Sequence, residues 1–188
     1  PPRSVLYDDW WKQCGLVVID SVNADSFGSS QFMRAISSAD AMLLQETKLR
    51  HGKQDHLQAE AREHHWRAES TPALATANGS ASGGTAVLAK TNYGLRDLPG
   101  SQIDAEPHRV CIAESTLLDG IALASAYLRH SEGASPENLR ILEETAKSLA
   151  TVGGNWILGM DANMSPSDLE STGWLDLVHG KIFHSDQP

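Results

Sequence analysis

The sequence of 188 residues holds only two cysteines, Cys14 and Cys111, far apart in the chain. Such a pair outlines neither a disulfide framework nor a zinc-ligand pattern, and it is compatible with a reducing compartment. No apolar run approaches the ~18 residues that a membrane-crossing helix needs. The longest, Ile121 to Leu128, has the length and composition of a strand. An initiating methionine and an apolar leader are also lacking. The chain opens Pro1-Pro2-Arg3-Ser4, so we expect a piece of a longer polypeptide, with no secretory signal visible. Positive charge is short as well, with 15 Lys and Arg against 24 Asp and Glu, a net charge of -9. That weighs against tight, sequence-indifferent DNA binding, which relies on Lys and Arg neutralising phosphates. A small basic rim beside a metal-filled cleft stays compatible with it. There is no internal repeat, long charge run or low-complexity tail.

What is present is ordinary for one globular domain with a sizeable core, 40% hydrophobic and 21% charged. Cys14 to Ile19 reads as a buried strand leading into a loop that begins at Asp20. Ser30 is placed to cap a helix carrying Phe32, Ala35, Ile36 and Ala39 on one side. Ala41 to Gln45 is the next strand, ending at Glu46. Lys53 to His65 is rich in helix formers, with Leu57 and Ala61 four apart. Ser70 to Gly84, dense in Ser, Thr, Ala and Gly, reads as a flexible connection. Thr85 to Lys90, Arg109 to Thr116 and Ile121 to Tyr127 are strands, the last two joined by a turn at Leu118-Asp119-Gly120. Ser135-Pro136-Glu137 is a helix start. Leu139, Leu142, Ala146 and Leu149 then recur at helical spacing until Gly153-Gly154, and Trp156 to Gly159 is a further strand. Hairpins interrupted by helices point to a mixed sheet system with helices outside it.

Polar and acidic residues follow these strands: Asn23 the first, Glu46 the second, Tyr127 and His130 the sixth, Asp161 and Asn163 the last. Strand ends are where a rigid scaffold can bring side chains to one cleft. The set is rich in oxygen and free of thiolate, which suits a hard cation such as Mg²⁺ or Mn²⁺ better than zinc. Simpler readings stand beside this one. Glu46 can be a solvated glutamate, Tyr127 a half-buried aromatic, and His130 a loop histidine. His64-His65 beside Trp66 reads as packing and surface. Trp10-Trp11 reads as a packing anchor or, if exposed, an interaction patch.

The motifs carry a more specific message in their order. Leu43-Leu44-Gln45-Glu46-Thr47-Lys48-Leu49, then Gly83-Gly84-Thr85-Ala86-Val87-Leu88, Tyr127-Leu128-Arg129-His130-Ser131 and Leu158-Gly159-Met160-Asp161-Ala162-Asn163 follow one another after Asn23. The series resembles the front two-thirds of an endonuclease/exonuclease/phosphatase (DNase I-like) domain. In style it is most similar to abasic-site and retrotransposon-type endonucleases. The resemblance implies an α+β fold, a two-sheet β-sandwich flanked by helices, incomplete at its C-terminus, within one domain spanning residues 1–188. It implies metal-assisted in-line hydrolysis of a phosphodiester, with Mg²⁺ or Mn²⁺ as cofactor and nucleic acid as partner. Glu46 would coordinate the ion and Asn23 would order its shell. Asp161 would orient or activate water, while Tyr127, His130 and Asn163 would donate to the phosphate oxygens.

Two departures temper those expectations. The closing Ser-Asp-His element of the resembled family has only Ser185-Asp186-Gln187 as its counterpart, soon after Asn163. Met160 stands where a small residue is usual, which raises the prospect of a crowded strand end at Asp161. We therefore expect an incomplete or degenerate copy with little or no nuclease activity as it stands. The alternative is a non-catalytic structural or interaction subunit whose open sheet edge is covered by a protein partner.

Overall fold

Two four-stranded sheets lie face to face, each covered on its outer side by helix. A computed structural model describes residues 14–26, 39–98, 103–116, 120–152 and 154–184. The Trp10-Trp11 pair, the helix expected from Ser30, the turn at Leu118-Asp119 and Ser185-Asp186-Gln187 lie outside the described residues. In chain order the elements are β1 (Ile19–Asn23), β2 (Ala41–Gln45), α1 (Gln54–Glu63), β3 (Trp66–Ser70), β4 (Leu74–Ala75) and β5 (Ala81–Ser82). Then come β6 (Ala86–Lys90), β7 (Leu95–Asp97), β8 (Val110–Ser115), β9 (Ile121–Tyr127), α2 (Pro136–Val152), β10 (Trp156–Asp161), α3 (Pro166–Ser171) and α4 (Trp174–Leu177). The sheet orders are β1-β2-β6-β3 and β10-β9-β8-β7, with β4-β5 a small separate hairpin.

Alternation of side chains across the pleat divides each strand between two cores. Leu43 of β2, Val87 of β6, Cys111 of β8 and Leu123 of β9 fill the space between the sheets. Met42 and Leu44 point the other way, onto Leu57 and Ala61 of α1. Ala122, Ala124 and Ala126 of β9 likewise face Ile141, Leu142, Ala146 and Leu149 of α2, with Trp174 closing that cluster. Both faces being covered is why β2 is buried at every position and reads as a continuous apolar run. The expected two-sheet sandwich with flanking helices is the observed architecture.

Several boundaries differ from the sequence reading. The first strand pairs at Ile19–Asn23 rather than over Cys14 to Ile19. Val18 is engaged by Asp40 instead: its N–H donates to the carboxylate at 3.0 Å, and its carbonyl accepts from Asp40 and Ala41. The ladder starts only after it, so Asn23 ends the strand rather than following it. The stretch Ser70 to Gly84 is not a loose connection, since it carries the end of β3 and the β4-β5 hairpin. That hairpin turns at Asn78-Gly79, where Asn78 Oδ1 accepts from Ser80 N–H at 3.2 Å and Gly79 adopts φ +79°. Strands β3 and β7 went unread, as did α3 and α4, and β10 runs two residues further than expected, to Asp161. Leu139 is 40% exposed, so the apolar stripe of α2 runs through Ile141 instead.

Candidate functional site

Parallel pairing decides where the expected site residues go. β1 and β2 run parallel, with Asn23 opposite Gln45; β9 and β10 run parallel, with Asp161 opposite Tyr127. Each sheet therefore presents two C-terminal strand ends side by side. The two pairs pack on each other through β1, β2, β9 and β10, which joins the ends into one place.

Hydrogen bonds run through that place. Asn23 Nδ2 donates to Asp161 Oδ2 at 2.6 Å, bridging the sheets. The N–H of Asn163 donates to Asp161 Oδ1 at 3.2 Å, its Nδ2 donates to Leu128 O at 2.9 Å, and its Oδ1 lies 3.0 Å from His130 Nδ1. Burial first, then the neighbouring Glu46 carboxylate, push the Tyr127 phenol up to about 12, so it stays a proton donor at neutral pH. Hydrogen bonds thus link four of the six residues, Asn23, Asp161, Asn163 and His130, while the charges of Glu46 and Asp161 both act on the Tyr127 phenol.

The backbone is unusual at the same positions. Glu46 (φ 52°), Lys48 (φ 53°), Ser131 (φ 61°) and Asn163 (φ 49°) all lie in the left-handed region, which costs a non-glycine residue energy. The turn at Glu46 is held by Thr47 N–H on Gly84 O (2.9 Å) and Lys48 N–H on Gly83 O (3.0 Å). Both glycines need positive φ, and a Cβ on them would press within 2.7 Å of the His108 ring and 2.6 Å of Thr47 Oγ1. That explains the Gly83-Gly84 motif: it lets β6 begin directly against the Glu46 turn.

Sequence reading missed the support around the site. Asn138, fully buried, accepts from Arg129 N–H at 2.8 Å and donates to Arg129 O and Gly133 O, pinning the loop that carries His130. Arg109 stacks its guanidinium 5.1 Å from the Tyr127 ring centroid. Glu106 accepts from both Arg109 and Arg129. Nothing local marks those three charges as one cluster. On the rim, Lys48 Nζ meets Asp25 Oδ1 at 2.6 Å. Met160 causes no crowding, because it faces the α2 side of the sheet, opposite to its neighbour Asp161. Trp66 of β3, beside β6, is buried in the outer core under α1 and His65 is exposed, as the packing reading of that triplet expects. Cys111 is buried between the sheets, and burial pushes its thiol up to about 12, so it is inert.

Acid should loosen this cluster in two steps. Burial, then the Arg109 charge, holds His108 below its ordinary value. A depressed histidine lets the unfolded chain bind the extra proton first, so stability falls as pH drops below about 6.5. Burial alone would raise Glu106, but hydrogen bonds and charge from Arg129 and Arg109 outweigh it and hold Glu106 low. Its contribution is complete above about pH 4.3 and is lost as pH falls further. Thermal melts between pH 7 and 2 should show both steps, and His108→Gln should flatten only the first.

No protein-family model matches the chain, and no curated protein sequence does. Solved structures similar in fold include two enzymes by name. The AP endonuclease LMAP from Leishmania major is 16% identical with a TM-score of 0.52, the match covering 86% of this chain and 66% of that one. ANGEL2, a 2',3'-cyclic phosphatase, is 14% identical with a TM-score of 0.50, covering 73% and 42%. The chain therefore spans less than two thirds of either protein's length.

Proposed function

We propose that this DNase I-like domain is a divalent-metal phosphodiesterase site for nucleic acid, of low turnover in the chain as given. The observation that carries the reading is the bridge from Asn23 Nδ2 to Asp161 Oδ2, which brings the strand ends of both sheets together beside Glu46 and Tyr127. The donors fit a hard cation: Glu46 and the Asn23 amide oxygen would hold Mg²⁺ or Mn²⁺. Among the described residues no three His, Cys, Asp or Glu side chains group to hold an ion unaided. Mg²⁺ suits such a place, since it commonly takes one or two carboxylates plus water and substrate phosphate. When bound, the ion supplies positive charge against the phosphoryl oxygens. Asp161, fixed by Asn23 and the Asn163 N–H, orients the attacking water. Tyr127, His130 and Asn163 direct hydrogen bonds at the phosphate, where charge grows in the transition state. Lys48 offers a cation at the rim of an otherwise acidic chain. The two structural neighbours, by name an AP endonuclease and a 2',3'-cyclic phosphatase, support the general kind of chemistry.

The test is cleavage of an abasic-site oligonucleotide and of supercoiled plasmid with and without Mg²⁺. Slow, Mg²⁺-dependent cleavage that disappears in Asp161→Ala supports the reading, and equal cleavage by both proteins sinks it.

A second reading, a non-catalytic interaction subunit, draws on the β10 edge. Among the described strands β10 ends its sheet. A cleft of about 570 Å³ beside it is lined by Trp156, Ile157, Met160, Ile182 and Phe183, the last 91% exposed. On this reading a protein partner pairs with β10. Ile157→Lys then abolishes the association while Asp161→Ala leaves it intact.

A further inference from the structure

The four strands that carry the site meet again, one repeat below it, at a single buried amide. Gln45 is 2% exposed. Its Nε2 donates to Ser21 Oγ of β1 at 3.3 Å, Leu43 O of β2 at 3.0 Å, Ser125 Oγ of β9 at 3.0 Å and Gly159 O of β10 at 3.2 Å. Two hydrogens serve four acceptors, so each is shared. Ser125 Oγ passes its own hydrogen to Leu44 O at 2.6 Å, which ties β9 back to β2 a second time.

The placement of the partners is regular. Ser21 stands two residues before Asn23, Ser125 two before Tyr127, Gly159 two before Asp161, and Gln45 immediately precedes Glu46. Strand residues two apart lie on the same face, roughly 6.6 Å from one another. A shift of any partner is thus handed to the site side chain directly above it. Apolar packing between the sheets is non-directional and tolerates small slides. Hydrogen bonds in a low-dielectric interior specify position, and they are costly to leave unmade. Gly159 belongs to the same device. A Cβ there would meet Ser21 Oγ and lie 2.8 Å from Leu43 Cβ, so only a bare Cα lets β10 come within reach of the amide.

We infer that Gln45 is a positioning residue: by binding both parallel strand pairs to one amide, it sets the spacing between the Glu46 and Asp161 sides of the site. Its value to catalysis rests on the metal-phosphodiesterase reading, but its mechanical effect is measurable without it. The experiment compares Gln45→Met, which keeps length and removes both donors, with Leu57→Ala, which opens a cavity under α1 on the outer face of the same sheet. Amide hydrogen exchange is followed at Ala24 and Leu128, whose N–H groups bond Gln45 O at 2.8 Å and Asp161 O at 2.9 Å, and at Asn163.

In Gln45→Met these three amides should exchange at least tenfold faster relative to those of β3 and β6. Leu57→Ala should raise exchange in step across the sheet. Mn²⁺ affinity should fall at least tenfold in Gln45→Met and hold in Leu57→Ala. Should Gln45→Met fail to fold, Ser125→Ala removes one partner and should give the same local pattern at a few-fold. Exchange that rises uniformly in whichever variant folds overturns the inference and leaves Gln45 as ordinary core. Local exchange as expected, with no Mn²⁺ bound by any form, upholds the positioning role and rejects the metal reading.

Discussion

Adding Mn²⁺ should raise the melting temperature of the parent chain, and Glu46→Gln should remove that rise. An ion that binds only the folded state stabilises it by RT ln(1 + [L]/Kd), about 2.7 kcal/mol at a hundredfold excess over Kd. For a chain of this size that is a rise of about 5–10 °C. Gln at position 46 keeps the shape of the side chain. It loses the negative charge an ion needs. The exchange is isosteric, so the metal-free melting point should stay close to the parent's. A preserved baseline with a lost response separates a missing ligand from a damaged fold. An undiminished Mn²⁺ response in Glu46→Gln would place the ion elsewhere and take Glu46 out of the site.

Metal-free stability should respond to a different substitution. Gly159→Ala forces a methyl group against Ser21 and Leu43, so β10 must move off β1 and β2. Overpacking of this sort costs about 1–3 kcal/mol, a fall of roughly 2–12 °C in melting temperature. Calorimetry measures it, and a melting point matching the parent would show that the sheets have room to spare there.

What the sequence displayed of this site, and what it hid, follow from the range of the interactions. The ends of β2 and β9 were legible because each is a local event: an apolar run stops at Gln45-Glu46 or at Tyr127 and polar residues take over. The order of the motifs pointed to the fold, since Leu-Gln-Glu-Thr-Lys closes β2 of one sheet and Gly-Met-Asp-Ala-Asn closes β10 of the other. Trp66–Ser70 escaped notice because Arg67 and Glu69 break its apolar character while only Trp66 and Ala68 reach the core. The hairpin at Leu74–Ser82 was hidden by small polar residues, although Asn78-Gly79 is a turn signal by itself. Gln45 and Glu106 were missed for another reason. Their partners lie as far off as Gly159 and Arg129, and no spacing rule links residues that only the folded sheets bring together. The start of β1 was misplaced because Asp40, distant in sequence, withdraws Val18 from the ladder.

Asp161→Ala should take phosphodiester cleavage from slow to undetectable. The reading proposed above has the parent slow, and an acid–base or orienting group is worth ~10²–10⁴-fold. What remains is the arrangement around Asp161. Its two carboxylate oxygens accept from Asn23 Nδ2 at 2.6 Å and from the Asn163 N–H at 3.2 Å. Alanine removes the group proposed to orient water and also frees Asn23 and Asn163, so the His130–Asn163 contact at 3.0 Å loses its anchor. Misplacement by ~1 Å can cost ~10²-fold alone, on top of the loss of the orienting carboxylate. Asp161→Asn separates the two effects. Its amide oxygen can still accept from the Asn163 N–H, whereas its NH₂ opposes Asn23 Nδ2. It should therefore cleave no faster than alanine if the Asn23 bridge matters, and measurably faster if only the Asn163 side does. Plasmid nicking and abasic-oligonucleotide cleavage in Mg²⁺, with all three proteins prepared in parallel, provide the measurement. Residual cleavage of equal rate in all three would belong to a contaminant, and the chain would then be read as an interaction subunit rather than an enzyme.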